Sequence, residues 1–591
     1  MYLSTLVAAL VSLFFISSVS AAACPVNQPP SDPGNIKDLF LRKILDQSIE
    51  YGNFSHAPSP GPLKVGIVGA GVAGLYAGIL LDSLNIDYDI LEASERIGGR
   101  IFTYRFDEAA WDASKPGEPN YYDYYDVGAM RFPGMPWMDR VIGSQNTSII
   151  SYVNSKIKST DRIQQIPYIF TANNTYRLFN DQLVYNQVNP SAATFKVLTS
   201  DGGPIPNNDR IATLNTETAL TQPLQSLIDV FTKYGFDAGF NNLMQYDNIS
   251  LREYLLQNGY SSRDVDWMET IDDATTHFDA YSLSQAVLEQ WIFNSAPLDS
   301  WTAIEGGMDR ITYGMTQILK NKPLLNKWLL NKSVSSLVGQ SDGQIKTITR
   351  TGEERTYAHI INTVPLGVMQ NMDMSTLNLD YNKTFAIRKL QYDPAGKIGM
   401  SFKTRWWEND FKGGQSYSDL SIRRCVYPSY GVNTTNAAGA MIASYTWGQD
   451  SSRLGSFYNS DDARDYITNV TLRQLAAMNN VTVEFLHAQL VDTHLWDWYA
   501  HEYAVGAFAM FGPAEFSTVM PSLMKPAFEG KMHFAGEALS SGHAWIIGAV
   551  NSAYRTVMEI LAVEKRDDLI KLMVQTWGII DEVDMGWYVT K

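Results

Sequence analysis

The first strongly patterned unit is Lys64-Val65-Gly66-Ile67-Val68, a short apolar run that predicts a buried strand. Gly69-Ala70-Gly71-Val72-Ala73-Gly74 follows, then an apolar helix through Leu84, then a second strand, Tyr88-Asp89-Ile90-Leu91, ending at Glu92. Strand, glycine turn, helix and strand in this order predict a parallel α/β unit. Before it, residues 24–62 read as an arm with a helix near Ile36–Tyr51. From about Pro136 to Ser300 helical patterns alternate with polar loops, one of them a helix capped by Ser250. Ile360-Ile361-Asn362-Thr363-Val364-Pro365 reads as a buried strand entering a turn. Met532-His533-Phe534-Ala535-Gly536-Glu537 is a strand leading to glycine and an acid, and a helix runs from near Ile547 to Val563. Nucleotide-type signals at both ends of the chain predict a cofactor domain assembled from separate segments.

The GxGxxG glycines carry distinct steric roles. Gly69 makes the turn, Gly71 lets a pyrophosphate approach the backbone, and Gly74 lets helix pack on strand. The helix N-terminus offers N–H groups to phosphate, and Glu92 is placed to accept ribose hydroxyls, which disfavours a 2′-phosphate.

Composition narrows the class. The chain has 591 residues, 45% hydrophobic and 18% charged, enough for several domain-sized cores. A net charge of −16 argues against nucleic-acid partners. The opening apolar run Leu6–Ile16, followed by Ala21 to Ala23, predicts a signal peptide, although its n-region carries no Lys or Arg. Nine Asn-x-Ser/Thr sequons join it in predicting a secreted, glycosylated protein, with no membrane association in the mature form. Cys24 and Cys425 are the only cysteines; two thiols so far apart do not establish a disulfide, and no cluster suggests a metal. A homo-oligomer is left open.

Glu92-Ala93-Ser94-Glu95-Arg96-Ile97-Gly98-Gly99-Arg100 resembles the E-A-x-x-R-x-G-G-R motif of the flavin-containing amine oxidase family. Gly306-Gly307-Met308, Thr363-Val364-Pro365-Leu366-Gly367, Phe534-Ala535-Gly536-Glu537 and Ala544-Trp545-Ile546 resemble further motifs of that family, over about residues 64 to 560. The resemblance implies an α/β fold: a discontinuous Rossmann-like FAD-binding domain, an inserted substrate-binding domain and a helical subdomain. The expected divisions are a leader at 1–23, an arm at 24–62, and an FAD domain at 63–135, 301–390 and 525–565. The helical part, with a share of the substrate domain, falls at 136–300, the substrate domain at 391–524 and a tail at 566–591.

The resemblance also implies FAD as cofactor. It places Arg96 and Arg100 near the phosphates, with Ala73, Ala93 and Gly99 beside them. Val334 falls beside adenine, Glu537 near the ribityl and pyrophosphate groups, and Gly128, Ala129 and Met130 along the flavin. Gly128-Ala129-Met130-Arg131-Phe132-Pro133 is similar to the G-A-M-R segment of L-amino acid oxidases, closest to secreted fungal-type members. That implies Arg131 gripping a substrate carboxylate, with Tyr445 giving a second hydrogen bond and Trp447 bordering the side-chain pocket. Lys397 would hold a water near the flavin, and Trp545 would wall the site. Ala544 stands where the family usually has glycine, its carbonyl receiving the substrate amine; Phe508 is a further substrate-facing candidate or part of a plain strand. A guanidinium fork suits a carboxylate and disfavours a simple amine.

The implied reaction oxidises an L-amino acid at Cα, with O2 as final acceptor, to a 2-oxo acid, ammonia and H2O2. An amine or polyamine oxidase and an oxidative decarboxylase are the alternatives. His277 is a candidate base or a hydrogen-bonded structural histidine, and His543 a base or a helix cap. Asp393 is a candidate for basic side chains or a turn residue beside Pro394.

Overall fold

The computed structural model describes residues 35–48, 51–52, 54, 56–59, 61–185, 190–273, 275–319 and 330–588. The predicted signal peptide, Cys24 and the Asn53 sequon lie outside these residues.

Four parallel strands form the first layer, in the order Asp87–Leu91, Lys64–Val68, His359–Asn362 and Met532–Phe534. Segments hundreds of residues apart thus meet side by side, with Ile67 opposite both Ile90 and Ile361. Each strand is a short apolar run buried on both faces, as a sheet covered by helices requires. The helices Val72–Ser83 and Ile546–Val563 supply that cover and are buried along nearly their whole length. Ile546–Val563 is long and apolar enough to cross a membrane, but here it is a core helix. It carries a fully buried Arg555–Glu559 ion pair. In this layer the observed strands and helices begin within a residue or two of the predicted ones.

A three-stranded antiparallel sheet, Val334–Gly339, Ile345–Thr349 and Glu354–Tyr357, flanks this layer. The largest sheet has seven strands, in the order Leu490–Asp497, Ala395–Phe402, Gly439–Trp447, Arg424–Val426, Gln415–Ser418, Tyr176–Phe179 and Gln182–Tyr185. Ala395–Phe402 is an inner strand and buried throughout. A group of helices that includes Thr216–Tyr234, Leu251–Gln257 and Leu283–Ser295 packs together. Ser250 and Glu253 form the reciprocal cap that starts Leu251–Gln257.

The two chain ends depart from expectation. The arm's helix stops at Asp46, and it is core: Phe40, Leu41 and Leu45 are each 1% exposed. Residues 566–591, expected as a tail, contain the helix Asp567–Trp577. Its Trp577 packs edge-on to Tyr76 and donates to the Ser83 hydroxyl. Apolar residues at helical spacing, Leu569, Ile570, Met573 and Trp577, explain why this end binds the core.

Candidate active site

One cavity of about 590 Å3 runs from the glycine turn of the parallel sheet to the inner strands of the seven-stranded sheet. Every site residue expected from the sequence lines it except Gly74 and Asp393. A Cβ at Gly74 would fall 2.0 Å from the Gly69 carbonyl oxygen, so glycine is needed there for helix–strand packing. A Cβ at Gly71, the N-cap of Val72–Ser83, would meet nothing within 4 Å. The bare backbone at a helix N-terminus therefore borders open cavity, the arrangement a pyrophosphate fits.

Glu92 accepts from the amides of Ala70 (2.7 Å) and Ser94 (2.9 Å) and from the Ser94 hydroxyl, which fixes its carboxylate at the strand end. Glu537 draws three segments together. Its oxygens accept from Arg100 Nη1 (2.8 Å), the Ala509 amide (3.1 Å) and the Ala544 amide (3.2 Å). Arg96 lies over the Phe102 ring at 4.3 Å, and burial pulls its guanidinium below the usual arginine range. Val334 opens the three-stranded sheet at the cavity wall.

At the other end, Lys397 Nζ donates to the carbonyls of Asp126 and Gly128, both at 2.8 Å, and lies 4.6 Å from the Tyr445 ring centroid. Burial pushes its ammonium well down, a cost only partly offset by the nearby Asp126 carboxylate. An inner strand, rather than an edge, carries this lysine, and its two hydrogen bonds pin the Gly128–Met130 loop. Tyr445 and Trp447 share a strand face with ring centroids 4.3 Å apart. Arg131 sits among Tyr168, Phe170 and Trp301, 4.9 Å from the Phe170 centroid, and donates to the Tyr168 hydroxyl at 3.3 Å. It forms no ion pair with any described residue.

Trp545 donates to Glu289 (3.2 Å) and packs near Trp137, Phe293 and Trp301. Ala544 holds φ +66°, a left-handed conformation that suits glycine and costs an alanine about 1–2 kcal/mol. Phe508 begins the strand Phe508–Met510, paired with Gln391–Asp393, and still faces the cavity.

Two candidates are corrected. His543 does not cap the helix; it is buried, with Nδ1 2.8 Å from Gln285 Oε1, and burial drops its imidazole to about 3. Asp393 is no turn residue but a buried strand residue. Its Oδ1 is 2.7 Å from His277 Nε2, so its charge is spent inside the wall. His277 does line the cavity, bound to that carboxylate. Cys425 is a free, buried thiol that donates to the Tyr427 hydroxyl.

Sequence reasoning missed one wall altogether. Gln285, Glu289 and Phe293 face the cavity at four-residue spacing along Leu283–Ser295, and Asp272 and Tyr281 precede them. Polar residues at helical spacing within an otherwise apolar helix were the available signal.

Residues 72–561 match the model of the flavin-containing amine oxidoreductase family. A Dictyostelium discoideum protein is 35% identical over 96% of this chain, which spans only 54% of that protein's length. An L-amino-acid oxidase of the fungus Hebeloma cylindrosporum is 34% identical over 88% of this chain and 85% of its own. One of the fish Siganus canaliculatus is 27% identical over 92% of both. In fold the chain is similar to a cyclohexylamine oxidase of Brevibacterium oxydans (TM-score 0.61, 15% identity, covering 86% of this chain and all of that one). A putrescine oxidase variant matches equally well (TM-score 0.61, 16% identity, 85% and all). With the dinucleotide cradle and this match over most of its length, the chain belongs to the flavin-containing amine oxidoreductase family, and FAD is its cofactor.

Proposed function

We propose that the protein is an L-amino acid oxidase, converting an L-amino acid, O2 and water to a 2-oxo acid, ammonia and H2O2. The observation that carries this reading is Arg131: a guanidinium on the cavity wall, ringed by three aromatic side chains and lacking any acidic partner among the described residues. A cation so placed suits a carboxylate ligand and repels a protonated amine. The names of relatives in fungus and fish support the same reading.

In this reading Arg131 binds the substrate carboxylate and the Tyr445 hydroxyl adds a second hydrogen bond, fixing how Cα is presented. Trp545 and Trp447 exclude water beside it. Lys397 holds the Gly128–Met130 backbone through its two carbonyl contacts. FAD, when bound, would supply the two-electron acceptor for oxidation at Cα, with O2 as the final oxidant. Water then hydrolyses the released imino acid. The predicted leader, and the exposure of all eight described sequon asparagines, support a secreted, glycosylated protein.

The test is peroxide release by the purified yellow protein with L-leucine, L-phenylalanine and L-lysine, against tyramine and spermine. Turnover of the amino acids alone is expected. Arg131→Met should keep its flavin spectrum and lose roughly a hundredfold or more in kcat/KM for the amino acids, since it strands a carboxylate in a partly desolvated site. Amine turnover by the wild type, or unchanged kinetics in the variant, overturns the reading.

A further inference from the structure

Away from the dinucleotide end, nearly every charged group of the cavity wall is already held. Glu289 pairs with Lys37 at 2.6 Å, His277 with Asp393, and Lys397 with two carbonyls. Two remain. Arg131 has no ion pair, and Asp272 has neither a hydrogen bond from its side chain nor an ion pair to any described residue. Both line the one cavity, and their signs are opposite.

A run of contacts leads from the Lys397 end of the cavity to the segment that carries Asp272. It passes from Lys397 to the Tyr445 ring (4.6 Å), from Tyr445 to Trp447 (4.3 Å), and from Trp447 to the Arg424 guanidinium (4.7 Å). Arg424 pairs with Asp273 at 2.9 Å, and Asp272 is the next residue. The nearby His277 and Arg424 favour the Asp272 carboxylate, but each is already engaged by another acid. Arg424 is answered by Asp273 and His277 by Asp393, while the single Arg252 serves Asp266, Glu269 and Asp279. Burial is the largest effect on Asp272 and raises its carboxyl to about 7 in the absence of a ligand. A desolvated carboxylate of this kind gains most from a cation brought by the ligand itself.

We infer that Asp272 is the specificity residue of the site, and that the preferred substrate is a basic L-amino acid whose carboxylate meets Arg131 and whose side-chain cation meets Asp272. Trp447 and Phe508 also line the cavity and suit the methylene stem of such a substrate. A polyamine would satisfy Asp272 but leave a cation facing Arg131. A purely apolar amino acid would leave Asp272 unanswered. The inference rests on the L-amino acid reading of the site.

The deciding measurement is the ratio of kcat/KM for L-lysine to that for L-norleucine, which has the same carbon skeleton without the ammonium. In the wild-type holoenzyme the ratio should exceed roughly ten, the scale of a charged hydrogen bond in a partly buried site. In Asp272→Asn it should fall towards one, the loss lying chiefly in KM for L-lysine. A wild-type ratio at or below one overturns the inference without the variant, as does an equal ratio in both proteins; oxidation of L-norleucine in those cases leaves the amino-acid reading standing. If no L-amino acid is oxidised while spermine or tyramine is, the reading of the site fails and this inference with it.

Discussion

Single side chains in this protein are legible through what burial does to their charge. His494 stacks on Tyr104 at 3.6 Å, lies 2.6 Å through Nδ1 from the Tyr125 hydroxyl, and is brought down to about 4, first by burial and then by Arg464. A histidine with its folded value below the unfolded one stays neutral in the native state while the unfolded chain takes up a proton. Its stabilising contribution is therefore complete above about pH 6.5 and is lost as pH falls towards 4. His494→Gln should be less stable than wild type at about pH 7, by about 2 kcal/mol, and the gap should narrow at about pH 5. Paired melting curves at the two pH values check this; a gap that widens on acidification contradicts it. Arg131 could be singled out from its G-A-M-R setting, but its aromatic ring of Tyr168, Phe170 and Trp301 could not. Those residues reach it from two segments, one of them more than a hundred residues away.

Elements in this fold are fastened to one another by a few buried acids. Glu537 takes donors from the loop after the second parallel strand, from Phe508–Met510 and from the start of Ile546–Val563. Glu537→Gln removes the counter-charge of Arg100, whose side chain is 24% exposed, so the cost falls below that of a fully buried pair. About 2 kcal/mol is expected, read as a lower melting temperature and easier release of flavin fluorescence on heating. Unchanged release would show that Glu537 does not brace the cofactor wall. Short apolar strands, the glycine turn and the Ser250 cap were readable because each depends on neighbours in sequence. The seven-stranded sheet was not, because its order joins strands from residues 176 to 497 through side-chain packing that no local pattern encodes. For the same reason Asp393, beside a proline, read as a turn, yet it lies in a strand because His277 answers it from a separate segment.

At the scale of the whole molecule, the first described helix is part of the structure that shapes the cavity. Lys37 and Asp38, on the first described helix, reach Glu289 and the region before Ile546–Val563. Asp38 accepts from Ser541 (2.6 Å), Trp137 (3.1 Å) and Asn551 (3.1 Å). An asparagine at that position must turn an N–H towards a donor. Asp38→Asn should thus cost about 1–3 kcal/mol, seen as a drop in the thermal midpoint; a neutral result would mean the helix is held by its apolar face alone. The sequence showed this segment as an arm because its helix is short, and its partners, Trp137, Glu289 and Ser541, are spread over the chain.

The single cavity has a thermodynamic corollary. The glycine turn and Arg131 border the same cavity, so a cofactor and a carboxylate lodged there share walls and displace water from one space. Occupancy at one end then favours occupancy at the other, by equal factors in both directions. An unreactive aromatic carboxylate should make the protein hold its flavin to higher temperature, and the flavin-stripped protein should bind that carboxylate correspondingly less well.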